Sequence, residues 1–449
     1  MFDPRGNPVG TRSADAVAAT ERALRRMMSF YGTPLDDLAA AHAADPSWPL
    51  PLLMHAGFLL SLTEPSLHRE ARALLARAEA LLTHAHPRER DHLAALRTLL
   101  DGDWPGAARA WESLLLRHPC DALALQWAHL FDFYRGDASA LRQRVARVLP
   151  EWAEGDPLQP YVLGLYAFGL EECQCYAEAE TVGRRALAGE AKVPWAIHAV
   201  AHVMEMQGRY AEGSAWMQQW HGDWAEGNGF HAHLGWHQAL FALEALDHAE
   251  ALRVFDAHLA ADPAQLTLQR LDAASLLWRL HLLGADVGPR WHALAAGWDR
   301  SEGVAGRFAF NDLHALLALI GSGDLVQAEA WAAQVATQAD RGNGNGDDKG
   351  SNRVIAREVG APLMRGLLAF AHGRFNAALE AIYPARALAQ AVGGSHAQRD
   401  LIDQTLLAAS VGASERSIGR ALLNERRLAK PETPLTRHWA ERLGLPRPR

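Results

Sequence analysis

The chain has 449 residues, 49% of them hydrophobic, with a formal net charge of −8 when its histidines are neutral. That length exceeds one ordinary compact core, so the chain divides into domains or grows by repetition. The acidic balance and the lack of a long basic run argue against nucleic acid as a partner. No apolar run is long enough to span a membrane.

Ala and Leu dominate and β-branched residues are scattered, which favours helix over strand. Met1–Ser13 is polar and carries Pro and Gly, so no secretory leader is expected there. Segments 14–31 and 52–62 are amphipathic, but any repeat is blurred before residue 96. From there one element recurs. Gly102-Asp103-Trp104 leads into Ala107, Trp111, Leu115 and Pro119, and Gly136-Asp137 follows 34 residues after Gly102. Tyr176 leads into Ala179 and Ala186, and Tyr210 sits 34 residues further on, ahead of Trp216. A 34-residue period is that of the tetratricopeptide helix–turn–helix unit. Gly closes the first helix in a left-handed conformation, Ala lets the two helices approach, and Pro ends the second.

Later copies read Gly323-Asp324-Leu325 with Ala328 and Trp331, then Gly373-Arg374-Phe375 with Ala377 and Leu379. These glycines lie 50 residues apart, and the excess is assigned to the Gly- and Asn-rich stretch Asp340–Arg353, read as an inserted loop. Atypical ends are expected of a repeat array. The organisation read from the sequence is therefore 1–95 as N-terminal capping helices, 96–412 as repeats with the 340–353 insertion, and 413–449 as C-terminal capping helices and tail. No clean domain boundary is visible between residues 96 and 413. The expected fold class is an all-α, tetratricopeptide-like α-solenoid, curved into a superhelix with an inner groove.

Three cysteines, Cys120, Cys173 and Cys175, are too few for a disulfide framework. The Cys173-x-Cys175 pair lacks the two-residue spacing of the usual metal or redox pair. A cytoplasmic location is expected.

Several segments resemble the tetratricopeptide repeat protein 38 family more closely than a generic repeat. They are HAVAHVMEMQGR (198–209), LDAASLLWRL (271–280), FNDLHALLAL (310–319), GGSHAQRD (393–400) and PYVLGLYAFGLEE (160–172). The likeness runs from about residue 3 to residue 430. It implies a repeat fold with a histidine-bearing interior, and carries no established reaction.

The 22 histidines are partly ordered. His198 and His202 are four apart, as are His233 and His237, and the two pairs are offset by 35 residues. Each pair shares one helix face, and equivalent positions of successive repeats lie side by side, with neighbouring helix axes about 8–10 Å apart. Both pairs fall on first helices, which line the inner wall of such a solenoid, so convergence on one patch is expected. Glu205 follows His202 by three residues and is placed to fix the tautomer of one imidazole. Glu244 follows His237 by seven, and Glu171 precedes Glu205 by one repeat. In the family-like segments, His314 follows Asp312, and His396 precedes Arg399 and Asp400. Trp195 and Trp236, beside the histidine pairs, are candidate pocket walls. Trp216, Trp220 and Trp224 recur every four residues and read as a packed seam.

Three readings stay open for the histidines. They hold zinc or another transition metal that activates water, although H-E-x-x-H is absent. They act as acid and base on a bound small molecule, with Asp312, Arg399 and Asp400 among the ligand contacts. Or they satisfy backbone and carboxylate partners of neighbouring helices. Neither a phosphate loop nor a G-x-S-x-G serine is present. At the level of function, the sequence suggests a repeat protein whose groove binds a peptide or small molecule. The alternative is a hydrolase-type enzyme using His198, His202, His233, His237 and Glu205, with His314 and His396 as further candidates.

Overall fold

The structure, a computed structural model, describes residues 1–262, 265–301, 303–341, 350–414, 416–430 and 433–445. The described residues form helices joined by turns and short connections, and show no strand, only isolated bridges at Phe2–Pro8 and Tyr31–Asn228. The all-α, tetratricopeptide-like solenoid class holds. Within each of the two units described below, consecutive helices pack on one another as pairs, and each pair rests on the next.

The turn chemistry read from the sequence builds these pairs. The helix Pro87–Leu100 ends at Gly102, whose φ of 86° puts it in the left-handed region that a Cβ disfavours. Its N–H donates to Leu99 O, and the next N–H, of Asp103, reaches back to Thr98 O. The Asp103 carboxylate then accepts from Gly106 N–H and opens the helix Trp104–Arg117. The same turn recurs at Gly136, Gly208, Gly323 and Gly373. It also recurs where no glycine stands, at Gln174 (φ 63°) and Leu246 (φ 60°). The small residues after the turn are closed off: Ala107, Ala179 and Ala328 are fully buried. At the last copy the register is one residue later than expected. Ala378 takes the buried place and Ala377 is exposed.

Two compact units are present, a division the sequence reading did not anticipate. Unit 1 comprises the described residues of Met1–Val200, Asp223–Phe230 and Asp347–Ser351; unit 2 comprises those of Ala201–Gly222, His231–Gly346 and Asn352–Arg449. The border falls inside one continuous helix, Pro194–Met206, so no Gly- or Pro-rich linker marks it.

In unit 1 the pairs begin well before residue 96. Ala14–Ser29 packs on Leu35–Ala44, and Leu50–Ser61 on His68–Ala80. The expected boundary at 95/96 therefore falls inside the helix Pro87–Leu100. The N-terminal residues are tied down by Arg88, which donates to Pro8 O at 3.1 Å, and by Glu89, which accepts from Gly10 N–H at 2.8 Å.

In unit 2 the first helices of successive pairs are His231–Glu244, Thr267–Leu282, Ala309–Gly321 and Ala361–Ala371. The later helix His396–Gly412 lies against Thr267–Leu282, and Pro434–Arg442 lies against His231–Glu244. Of the segment expected to cap the array, 413–449, the helix Pro434–Arg442 thus folds back onto a first helix, and the last helix of the expected repeats, His396–Gly412, does the same. Asp340 and Ser351–Arg353, at the two ends of the expected insertion, are helical, and residues 342–349 lie outside the described residues. Residues 431–432 of the expected KPETP break do so as well.

Candidate metal centre

The helix Pro194–Met206 brings His202 and Glu205 into unit 2, and His231–Glu244 brings His233 and His237. A ring nitrogen from each of His202, His233 and His237 lies within 4.8 Å of the others. The ring centroids of His202 and His237 are 4.4 Å apart, and those of His233 and His237 are 4.9 Å apart. His202 and His237 are fully buried. Burial, followed by the neighbouring His202, His233 and Arg279, holds His237 well below the usual imidazole range. It is neutral at physiological pH, the form that ligates metals.

Carboxylates stand behind two of the three rings. His233 Nδ1 is 2.8 Å from Asp272 Oδ2, and His237 Nδ1 is 3.8 Å from Glu205 Oε2. Trp236 forms a wall: its ring stacks on His233 at 5.4 Å, lies edge-on to His237 at 4.8 Å, and receives the Arg279 guanidinium at 5.5 Å. Arg279 is itself fully buried and donates to Ala397 O at 2.6 Å, so it also anchors the start of His396–Gly412.

A buried ionic network continues from Glu205. Lys430 Nζ is 3.2 Å from Glu205 Oε1 and 3.8 Å from Glu244 Oε2. Arg426 grips Glu244 through two bonds of 2.7 and 2.8 Å, Thr433 donates to the same carboxylate, and Asp400 stands 3.5 Å from Arg426. Burial works against charge at Lys430, but Glu205, Glu244 and Asp400 outweigh it and its pKa is raised. Burial likewise opposes ionisation of Glu244, and Arg426 and Lys430 reverse that.

Of the other candidates, Asp400 belongs to this network through Arg426. His198 is in unit 1, where its ring meets Phe168 at 4.9 Å, Trp195 at 5.3 Å and Phe230 at 5.2 Å. Trp195 is thus in an aromatic cluster, and Glu171 is fully buried in the same unit. His314 bonds Phe310 O at 2.8 Å, and burial depresses it to about 4. Asp312 accepts from Gly306 N–H and supports the turn before its own helix; burial pushes its carboxyl up to about 8. His396, Arg399 and Asp400 line an open cavity of about 540 Å³ together with Met206, Arg386 and Asp403. Arg399 donates to Gly394 O, next to His396. Trp216 and Trp224 are buried, so these tryptophans form no open platform. Cys173 and Cys175 bond backbone carbonyls.

Sequence reasoning missed Asp272, Arg279, Arg426 and Lys430. For the first two a signal was present: LDAASLLWRL places an acid and a base inside an otherwise apolar run.

No protein-family model matches the chain, so the resemblance to the tetratricopeptide repeat protein 38 family rests on the quoted segments alone. Among solved structures, the chain is similar to a tetratricopeptide repeat protein from Parabacteroides merdae at 12% identity, covering 71% of this chain and 98% of that one, with a TM-score of 0.32. It is similar to the human IFIT1 dimer with PPP-AAAA at 13% identity, covering 87% and 90%, with a TM-score of 0.41. It is similar to the Cut9–Hcn1 hetero-tetramer of the APC/C at 11% identity, covering 96% of each, with a TM-score of 0.29. Likenesses this remote carry no functional argument, and the fold assignment rests on the helix pairs themselves. No described helix is long and apolar enough to cross a membrane.

Proposed function

We propose that unit 2 holds a transition-metal ion of the zinc type on His202, His233 and His237. One observation carries this reading: three imidazoles converge in a buried site, with carboxylates behind two of them. Imidazoles that bind metal through one nitrogen commonly present the other to a carboxylate, which fixes tautomer and orientation. Asp272 stands in that place for His233 and Glu205 for His237. The donor set suits zinc, copper, iron or nickel more than calcium or magnesium, which take oxygen ligands. A metal on three histidines and a water would supply a nucleophile near neutral pH. The chain's own part is to keep His237 neutral, to orient the imidazoles and to shield them from bulk water. On this reading the protein is a metal-dependent enzyme of the hydrolase type.

Binding of a peptide or small ligand in the repeat groove keeps only the support of the fold. In unit 2, helices His396–Gly412 and Pro434–Arg442 lie against two of the first helices whose faces such a groove would use.

Elemental analysis of the full chain after growth with and without added zinc tests the metal reading. The expected result is about one metal ion per chain, lost in His202→Gln and His237→Gln variants that remain folded. A metal-free parent that stays metal-free after incubation with zinc, cobalt or iron would sink it.

A further inference from the structure

We infer that Lys430 is a positioning residue of this centre, holding Glu205 as the carboxylate that orients His237. The inference rests on the metal reading above and adds a residue 225 positions from Glu205 in the chain.

Glu205 is 5% exposed and its two oxygens face different partners. Oε1 accepts from the Lys430 ammonium at 3.2 Å, and Oε2 is directed toward His237 Nδ1 at 3.8 Å. That second oxygen is buried and accepts no hydrogen bond. A buried acceptor left so is costly. A structural ion pair accounts for Oε1 but gives no reason to aim Oε2 at an imidazole. Metal ligation does. A metal held by His237 Nε2 would leave the ring proton on Nδ1, and closing the gap by about 1 Å would complete an ordinary hydrogen bond to Glu205.

Lys430 is held for this task at both ends of its peptide unit. Its N–H donates to Arg426 O at 2.7 Å, and its carbonyl accepts from the Thr436 hydroxyl at 2.9 Å. Its ammonium stands between two carboxylates, Glu205 and Glu244, and Glu244 is already occupied by Arg426 and Thr433. The charge on Lys430 is therefore left chiefly to Glu205. Arg279, which also faces this region, is committed to Ser275 and to the carbonyl of Ala397.

The test is cobalt(II) titration of the full chain, read by visible absorption and by competition with a chelator. Lys430→Met should weaken cobalt binding roughly 10–100-fold and alter the ligand-field bands, the range typical of outer-shell changes. Lys430→Arg should restore most of the affinity and the parent spectrum. Glu205→Gln should weaken binding similarly, and the double variant should be no worse than Glu205→Gln alone, because Lys430 acts through Glu205. If Lys430→Met fails to fold, the Glu205→Gln and Lys430→Arg arms decide: parent-like affinity in Glu205→Gln overturns the inference. Losses that add in the double variant overturn it too, as does parent-like binding by a folded Lys430→Met. A parent chain that binds no cobalt or zinc sinks the metal reading itself and takes this inference with it.

Discussion

Asp272 Oδ2 stands 2.8 Å from His233 Nδ1, while its other oxygen accepts from Gln398 Nε2 at 3.3 Å. One carboxylate thereby joins the helices His231–Glu244, Thr267–Leu282 and His396–Gly412 at the histidine cluster. The pairing sets His233 to donate from Nδ1 and present Nε2. Replacing Asp272 by Asn keeps the shape but removes the charge. Metal affinity should fall about tenfold or more, measured by chelator competition. Parent-like affinity would show that His233 takes no part in binding.

Asp312 gives a pH signature of its own. Its carboxyl titrates near 8 in the fold because it is buried, against the ordinary 3.8. A raised folded value means that this group stabilises fully below about pH 3.8 and that the contribution is lost as pH rises through 8. From this residue alone, stability should fall with pH in that window by at most about 1.4 kcal/mol per unit. Asp312→Asn still accepts from Gly306 and should flatten the slope. Urea unfolding at pH 5, 6.5 and 8 reads the difference, and equal slopes for parent and variant would contradict the assignment.

Ala107 and Ala328 hold the small position after the inter-helix turn, and neither retains solvent exposure. Leu at either site should overpack the contact and cost on the order of 1–3 kcal/mol. Thermal melts that match the parent for both would mean that the helices do not close on these residues.

The buried Arg426–Glu244 pair should show strong coupling. Arg426→Met leaves Glu244 with Lys430 and Thr433 as partners, and a loss of about 3–5 kcal/mol is expected for breaking a buried pair. Adding Glu244→Gln should recover a substantial part, since the stranded charge is then gone. A double variant that loses the sum of the two single losses would argue against a direct pair.

The fold was legible because its turns are local. Gly102-Asp103 and Gly323-Asp324 state in two residues both the left-handed closure and the cap that follows. Where Leu246 and Gln174 occupy the same conformation, that signal disappears, and those pairs were placed only through their neighbours. The paired spacing of His202 with His198 and of His233 with His237 pointed to first helices, and both pairs lie on such helices. The supporting charges were harder to read. Asp272 acts 39 residues from His233, and Lys430 acts 225 residues from Glu205. Interactions at those separations leave no period in the sequence, so Arg426 and Lys430 fall unmarked within the expected C-terminal capping helices and tail. The unit border was equally silent, because the helix Pro194–Met206 carries no break across it.

The long reach from Glu205 to Lys430 also bears on how the protein is made. During synthesis the helices bearing Glu205 and Glu244 leave the ribosome long before Arg426 and Lys430 exist. Burying either carboxylate without its cation is expensive. Closing the interior of unit 2 is therefore costly until more than 180 further residues after Glu244 have emerged, a separation set by Arg426. The helix pairs of unit 1 draw mainly on neighbouring helices. At translation rates of about 5–20 residues per second, unit 2 waits roughly ten to forty seconds with its acidic helices open to water. Such an interval favours capture by chaperones, and leaves the histidines of unit 2 open to solvent before the surrounding helices close over them.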